Sequence, residues 1–147
     1  MPERYDKIEL VTHSDEETKK AGEELTDILE NGDLIVLTGP LGAGKTTFIK
    51  GIARGLGIGE NDIRSPSFTL VNEYQGRFSL FHIDLYRLDD ISELAGIGWD
   101  EYLTREGIVV VEWGEKAAGL LPRNYIRIGI EIVSETVREL NVAFLGR

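Results

Sequence analysis

Cysteine is absent from this sequence of 147 residues, so disulfide bonds and thiol chemistry are both excluded. No apolar run approaches the roughly 20 residues that a membrane-spanning helix needs, and residues 1–5 lack the apolar stretch of a signal peptide. Basic side chains are few: 16 lysines and arginines stand against 26 acidic residues, a net charge of −10. Proteins that hold nucleic acid by themselves usually carry a basic surface. We therefore expect a cytoplasmic protein that does not hold nucleic acid directly and has no contact with a membrane.

The length is typical of one domain, which we place over residues 1–147, with little room for a separate lid. The acidic residues concentrate near the start, where residues 1–33 hold 11 acidic and 4 basic side chains. Two interpretations stay open for this segment: the solvated face of a helix, or an acidic docking surface for a partner.

The segment GPLGAGKT at residues 39–46 fits the phosphate-binding pattern G-x-x-x-x-G-K-[ST]. Its glycines allow successive backbone N–H groups to point into one concavity, which suits an anion. Lys45 adds a charge that reaches the β and γ phosphates of a nucleotide, and the Thr46 hydroxyl can bind Mg²⁺. A plain glycine-rich turn does not need this Lys-Thr pair, so the segment predicts a nucleotide site.

The flanking sequence predicts the strand and helix that this motif requires. Residues 34–38 read as a buried strand and residues 46–56 as a helix with one apolar face. A capping box that begins at Ser14 predicts an earlier helix that runs to about Glu30. Short turns predict hairpins over 70–83 and 125–145. The fold class is therefore α/β: a single P-loop NTPase domain with a mixed parallel and antiparallel central sheet flanked by helices.

Two acidic residues follow apolar strands and are candidate metal ligands. Asp84 follows the strand over 78–83, and Glu112 follows four consecutive apolar residues. In open α/β sheets ligands collect at such strand ends, and a buried strand that delivers an acid to Mg²⁺ is typical of nucleotide hydrolases. The alternative for each is a strand-end acid that only caps the next turn.

A loop rich in hydroxyl groups offers a third candidate element. Ser65, Ser67 and Thr69 could sense the γ-phosphate as a switch does; a surface turn is the alternative. We expect Trp99 and Trp113 to be half-buried core residues, with Trp113 close to the site because it adjoins the second acid.

Three further side chains have open roles. His82 alternates with inward residues, which favours a packed, neutral ring over proton transfer. Arg64 and Arg87 could neutralise charge on a transferred phosphate, or act as structural ion-pair partners.

Four motifs in this order and spacing carry a resemblance to a known family. GPLGAGKTT, SPSFTLVNEY, FHIDLYRL and VVVEWGEK resemble the TsaE (YjeE) family, bacterial P-loop ATPases needed to make N6-threonylcarbamoyladenosine in tRNA. The likeness runs from about Thr12 to Pro122. One departure is visible, because the family usually reads Ser-Pro-Thr where this sequence has Ser67; the hydroxyl is kept.

The resemblance implies a set of site residues. It implies that Thr46 and Glu112 coordinate Mg²⁺ and that Asp84 is a further acid near the metal that hydrolysis requires. The motif itself predicts that Lys45 acts in catalysis, because its charge can stabilise the negative charge that develops on the phosphates. The resemblance also implies that the loop with Ser65, Ser67 and Thr69 behaves as a switch. The nucleotide-binding residues that it implies are Asp15, Leu41, Gly42, Ala43, Gly44, Lys45, Thr46 and Thr47.

The resemblance also implies cofactors and partners. ATP or ADP and Mg²⁺ would bind, and the chain would work with the TsaB–TsaD heterodimer, in which TsaD modifies adenosine in tRNAs that read codons beginning with A. Contact with tRNA would be only indirect. Two other classes stay open: a small-molecule kinase, for which the chain leaves little room, and a nucleotide sensor without turnover, against which both acids argue. No N-K-x-D guanine-reading motif is present, which favours adenine by exclusion.

Overall fold

The computed structural model describes Arg4, residues 7–64, Pro66 and residues 71–146. The strands are β1 Ile8–Thr12, β2 Leu34–Thr38, β3 Val71–Gln75, β4 Ser79–Asp84, β5 Ile108–Glu112, β6 Tyr125–Ile132 and β7 Arg138–Leu145. The helices are α1 Asp15–Leu25, α2 Lys45–Gly55, α3 Glu93–Gly96 and α4 Trp99–Thr104, with 3₁₀ turns at Thr26–Ile28, Glu60–Asp62 and Gly114–Leu120.

The seven strands form one sheet in the order β1-β7-β6-β2-β5-β4-β3. Strands β6, β2, β5 and β4 at its centre are parallel, whereas β7, β1 and β3 pair antiparallel at the edges. Both predicted hairpins form, as β3–β4 and β6–β7. The predicted α/β class with a mixed sheet is therefore confirmed.

The register of the central strands brings their carboxyl ends together. Leu37 of β2 pairs with Glu112 of β5, and Glu112 in turn pairs with Asp84 of β4. All five residues of β5 are buried, as are the first four of β2. Strands this apolar are stable only when both faces of the sheet are covered. The loop that follows β2 and both acidic strand ends consequently lie at one edge of the parallel core.

Helices cover the two faces of the sheet unequally. Helices α1 and α2 pack together over one face, and α3, α4 and the Gly114–Leu120 turn cover the other. Glycines allow the first two helices to approach closely: a Cβ on Gly22 would overlap the carbonyl oxygen of Phe48, and one on Gly51 would overlap that of Lys19. Helix α1 therefore packs directly against the middle of α2, on the side of the sheet where α2 lies.

Two expectations from the sequence need correction. The first helix ends at Leu25 rather than near Glu30, because the Thr26 hydroxyl donates to the Glu23 carbonyl at 2.6 Å and the chain tightens into a 3₁₀ turn. Trp99 is not half-buried but only 2% exposed, packed beneath the sheet.

Within the described residues, no helix combines the length and hydrophobicity needed to cross a membrane.

Candidate functional site

The loop between β2 and α2 has a backbone that glycine makes possible. Gly39 has φ of +143°, and a Cβ there would overlap the carbonyl oxygen of Ile130 in β6. Gly44 has φ of +103° and occupies the N-cap position of α2. Both angles lie where side chains are disfavoured. The glycines predicted from the motif therefore let the loop turn sharply against the sheet and enter the helix directly.

The N-terminus of α2 is left open to a ligand. No side chain caps it within the described residues, and its first turn carries no acidic residue. The first N–H groups of a helix lack partners within the helix and carry the positive end of its dipole. An anion at the start of α2 would accept hydrogen bonds from these N–H groups and would be attracted by the positive end of the dipole.

A cavity of about 680 Å³ opens at this helix end, at the carboxyl edge of the parallel strands. Its size is within the range usual for small-molecule sites. The residues that line it are Asp15, Leu41, Gly42, Ala43, Gly44, Lys45, Thr46, Thr47, Pro66, Asp84, Tyr86, Arg87, Glu112, Trp113, Glu135 and Arg138.

Lys45 lies in the wall of this cavity and is only 5% exposed. Its Nζ donates to the carbonyl oxygens of Gly39 and Pro40, the second at 3.0 Å, and lies 3.8 Å from the ring centroid of Trp113. Burial lowers the pKa of this amine, while the negative charge of nearby carboxylates, Glu112 above all, opposes the shift. The site therefore contains a largely dehydrated cation, which an anionic ligand would stabilise.

Glu112 contributes a buried carboxylate beside the start of α2. Its Oε1 accepts a hydrogen bond from the Thr46 hydroxyl at 3.2 Å, and its Oε2 lies 2.6 Å from Nε2 of His82. Thr46 and Glu112, which the sequence predicts as metal ligands, are thus adjacent, although they are 66 positions apart in the chain.

Asp84 stands at the end of the neighbouring strand. Its Oδ1 accepts from the backbone N–H of Tyr86 at 2.9 Å, so it does cap the next turn. It also lines the cavity. Burial raises the pKa of Asp84, and the negative charge of Glu112 adds to the shift, whereas the hydrogen bond from Tyr86 opposes it. The two interpretations of this acid are therefore compatible, since one oxygen serves the turn while the group faces the cavity.

The structure also brings in residues that the sequence did not single out. Arg138, at the start of β7, donates from Nε to the carbonyl of Ala43 at 3.0 Å and from an Nη to that of Gly42 at 3.4 Å. Glu135 and Tyr86 line the same cavity. The places of Arg138 and Glu135 depend on β6 lying beside β2 in the sheet, which no local sequence pattern reveals. Tyr86 did carry a signal, because it belongs to the FHIDLYRL motif.

Most of the predicted site residues converge on this cavity. Those that line it are Asp15, Leu41, Gly42, Ala43, Gly44, Lys45, Thr46, Thr47, Asp84 and Glu112. Trp113 also lines it, as expected, and Arg87 does too, whereas Arg64 does not. The predicted switch residues Ser65, Ser67 and Thr69 lie outside the described residues.

The donor groups fit Mg²⁺ only if a ligand completes the set. Among the described residues, no group of three or more His, Cys, Asp or Glu side chains could hold a metal alone. Mg²⁺ commonly binds through one or two carboxylates, waters and the phosphates of a substrate. The hydroxyl of Thr46 and the carboxylates of Glu112 and Asp84 supply the oxygens such a shared site needs.

The strand β2, the glycine-rich loop, and Lys45 and Thr46 at the start of α2 together define an α/β protein of the P-loop class. Comparison with known families agrees. A family model described as "Threonylcarbamoyl adenosine biosynthesis protein TsaE" matches residues 12–140, and the chain belongs to the TsaE family.

Curated relatives and a solved structure support this membership. The "tRNA threonylcarbamoyladenosine biosynthesis protein TsaE" of Treponema pallidum is 42% identical over 136 residues, which cover 92% of this chain and 100% of that protein. The protein of the same name from Bacillus subtilis is 40% identical and covers 92% of this chain and 84% of its own. The crystal structure of Bacillus subtilis YdiB matches with a TM-score of 0.80 at 35% identity, over 96% of this chain and 87% of that one.

Proposed function

We propose that this protein is a Mg²⁺-dependent ATPase that acts in the threonylcarbamoyladenosine modification of tRNA in the cytoplasm. One observation supports the enzymatic part above all. The open N-terminus of α2, the buried amine of Lys45 and the adjacent Thr46 and Glu112 converge in one cavity. The pathway is the one for which the family and its relatives are named.

Each group has a defined part in the proposed reaction, phosphoryl transfer from ATP to water. The backbone N–H groups of residues 41–47 hold the phosphates, and Lys45 stabilises the charge that develops on the β and γ oxygens. Thr46 and Glu112 would hold Mg²⁺, with Asp84 close by, and the ion would supply positive charge against the phosphate oxygens. Asp15, which lines the cavity from α1, lies where it can contact the nucleotide.

The proposal includes a partner, the TsaB–TsaD heterodimer. Hydrolysis is expected to be slow for the protein alone and faster with the pair, so that ATP turnover supports repeated modification of tRNAs that read codons beginning with A. The net charge of −10 is consistent with indirect contact to tRNA.

Substitution of Lys45 tests the catalytic assignment. Lys45→Ala should lower the rate of ATP hydrolysis about 100-fold or more, because a fixed charge aimed at the developing negative charge is lost. The matched control is Lys50→Ala on the same helix, since Lys50 does not line the cavity. Both variants are assayed alone and with the TsaB–TsaD pair, with Mg²⁺ and with EDTA.

The outcomes discriminate between the classes. The proposal is supported if hydrolysis of ATP depends on Mg²⁺ and is stimulated by the TsaB–TsaD pair. Lys45→Ala should lose this activity and Lys50→Ala should keep it. Tight ATP binding without hydrolysis under any condition rejects it in favour of a nucleotide sensor or a kinase that lacks its acceptor.

A further inference from the structure

His82 is a buried polar side chain in an apolar part of the sheet. It lies in the middle of β4, it is 0% exposed, and it pairs with Val110 across the sheet. Leu80, on the same face of β4, belongs to the core beneath α1 and α2. Packing alone gives no reason for an imidazole here, because an apolar side chain would fill the space without burying polar atoms.

The ring contacts the carboxylate that the proposed function assigns to the metal. Nε2 of His82 lies 2.6 Å from Oε2 of Glu112, while Oε1 of the same carboxylate accepts from Thr46 at 3.2 Å. Each oxygen of Glu112 therefore has its own partner on a different element. This arrangement fixes the rotation of the carboxylate plane and turns Oε1 toward the start of α2.

The other ring nitrogen identifies which atom carries the proton. Nδ1 of His82 is buried and has no hydrogen-bond partner in the described part of the chain. A hydrogen on Nδ1 alone would be a buried donor without an acceptor, and it would leave Nε2 and Oε2 as two acceptors only 2.6 Å apart. A hydrogen on Nε2 fits this site, and it is donated to Oε2 of Glu112.

We propose that His82 is a positioning residue that holds Glu112 so that Oε1 and the Thr46 hydroxyl present oxygens to the same Mg²⁺. This inference rests on the proposed function, in which these two groups bind the metal. Hydrogen bonds to metal-binding carboxylates and imidazoles orient the ligands, and their loss typically costs about 10- to 100-fold in metal affinity or activity. His82 would act through Glu112 without touching nucleotide.

Three substitutions separate positioning from packing. In His82→Gln, the side-chain amide nitrogen can reach about as far as Nε2 and keeps a donor for Glu112. In His82→Asn, the amide is shorter and ends near the position of Nδ1, so a polar group remains without the contact. His82→Leu removes the donor and fills the space with apolar atoms.

The measurement is the affinity for ADP by calorimetry, first in EDTA and then in saturating Mg²⁺, for the unmodified protein and each variant. The ratio of the two affinities reports the metal contribution without any need for turnover. We expect His82→Leu and His82→Asn to reduce that ratio about 10-fold or more and to leave the affinity in EDTA close to that of the unmodified protein. His82→Gln should retain most of the ratio.

A double variant and a stability control complete the design. In a Glu112→Gln background, His82→Asn should have little further effect on the ratio, since the carboxylate that it positions is gone. Thermal unfolding is recorded for every variant, and if His82→Leu does not fold, the comparison between Gln and Asn decides. Equal ratios of the Mg²⁺ and EDTA affinities in His82→Gln and His82→Asn would overturn the positioning role. An effect of His82→Asn that persists in the Glu112→Gln background would overturn it as well.

Failure of the proposed function gives a different result. If the unmodified protein binds ADP equally well with and without Mg²⁺, the metal-dependent activity itself is rejected, and the role of His82 is rejected with it.

Discussion

The indole of Trp113 forms part of the cavity wall at the end of β5. Its backbone has φ of +60° and ψ of +40°, and it is the one non-glycine residue with positive φ among the described residues. The amine of Lys45 lies 3.8 Å from its ring centroid, and the ring of Tyr86 lies 5.1 Å away on a tilted plane. Such left-handed residues are uncommon and concentrate at functional sites. This conformation ends β5 and places the indole beside the Lys45 amine, a positive charge that the phosphates of a nucleotide would attract.

This contact predicts a spectroscopic change. Phosphates at the start of α2 should draw the Lys45 amine away from the indole, so ADP should change the fluorescence of Trp113. Trp99 does not line the cavity, and its indole N–H is bonded to the carbonyl of Leu120 at 3.2 Å. Titration with ADP should therefore alter the emission of Trp99→Phe and leave that of Trp113→Phe nearly constant. An equal change in both variants, at matched occupancy by calorimetry, would argue against the displacement of Lys45.

Helices α1 and α2 act as one support for the site. Gly51 of α2 faces the backbone of α1 so closely that a Cβ would overlap the carbonyl of Lys19. Arg54 of α2 adds an ion pair across the same interface, 2.7 Å from Glu16. Exposed pairs of this kind contribute little. The close approach of the two backbones is therefore the feature that sets how closely α2 packs against α1.

Gly51→Ala tests that close contact. The added methyl group meets backbone and cannot be accommodated by a rotamer change, so the free energy of unfolding should fall by about 1–3 kcal/mol. The control is Gly96→Ala in α3, where nothing lies within 4 Å of the added atom; it should be neutral or stabilising by up to about 1 kcal/mol, because alanine favours helix. Urea unfolding measures both. Equal stabilities in the two variants would show that α1 moves away from α2 without cost.

At the scale of the whole molecule, the sequence revealed local units well and long-range neighbours poorly. The β2–loop–α2 unit and the acidic ends of β4 and β5 could be predicted, because each rests on contiguous residues. The contacts of Arg138 with the loop could not, since they depend on the strand order β7-β6-β2. His82 was expected to be packed, and it is buried, but its contact with Glu112 depends on the β4–β5 register. Such pairings are set by the tertiary fold rather than by local spacing.

The charge of the whole molecule predicts weak contact with tRNA. With a net charge of −10, the isolated protein should show no measurable binding to tRNA at physiological salt, because affinity for phosphate backbones depends mainly on basic surface. Fluorescence anisotropy of labelled tRNA measures this, with the TsaB–TsaD pair added in a parallel series. Binding by the protein alone that weakens steeply as salt rises would reveal a basic surface that the overall charge conceals.

The pairing of β1 with β7 has a consequence for synthesis on the ribosome. Among the described strands β1 emerges first and β7 last, yet Ile8 lies opposite Val142 in the finished sheet. A nascent chain must therefore keep β1 without its partner until translation has passed β7, and contacts so distant in sequence form slowly. The same late strand delivers Arg138 to the carbonyls of Gly42 and Ala43. The loop between β2 and α2 thus acquires the Arg138 contacts only after translation has passed residue 138, nearly 100 positions beyond Gly42 and Ala43.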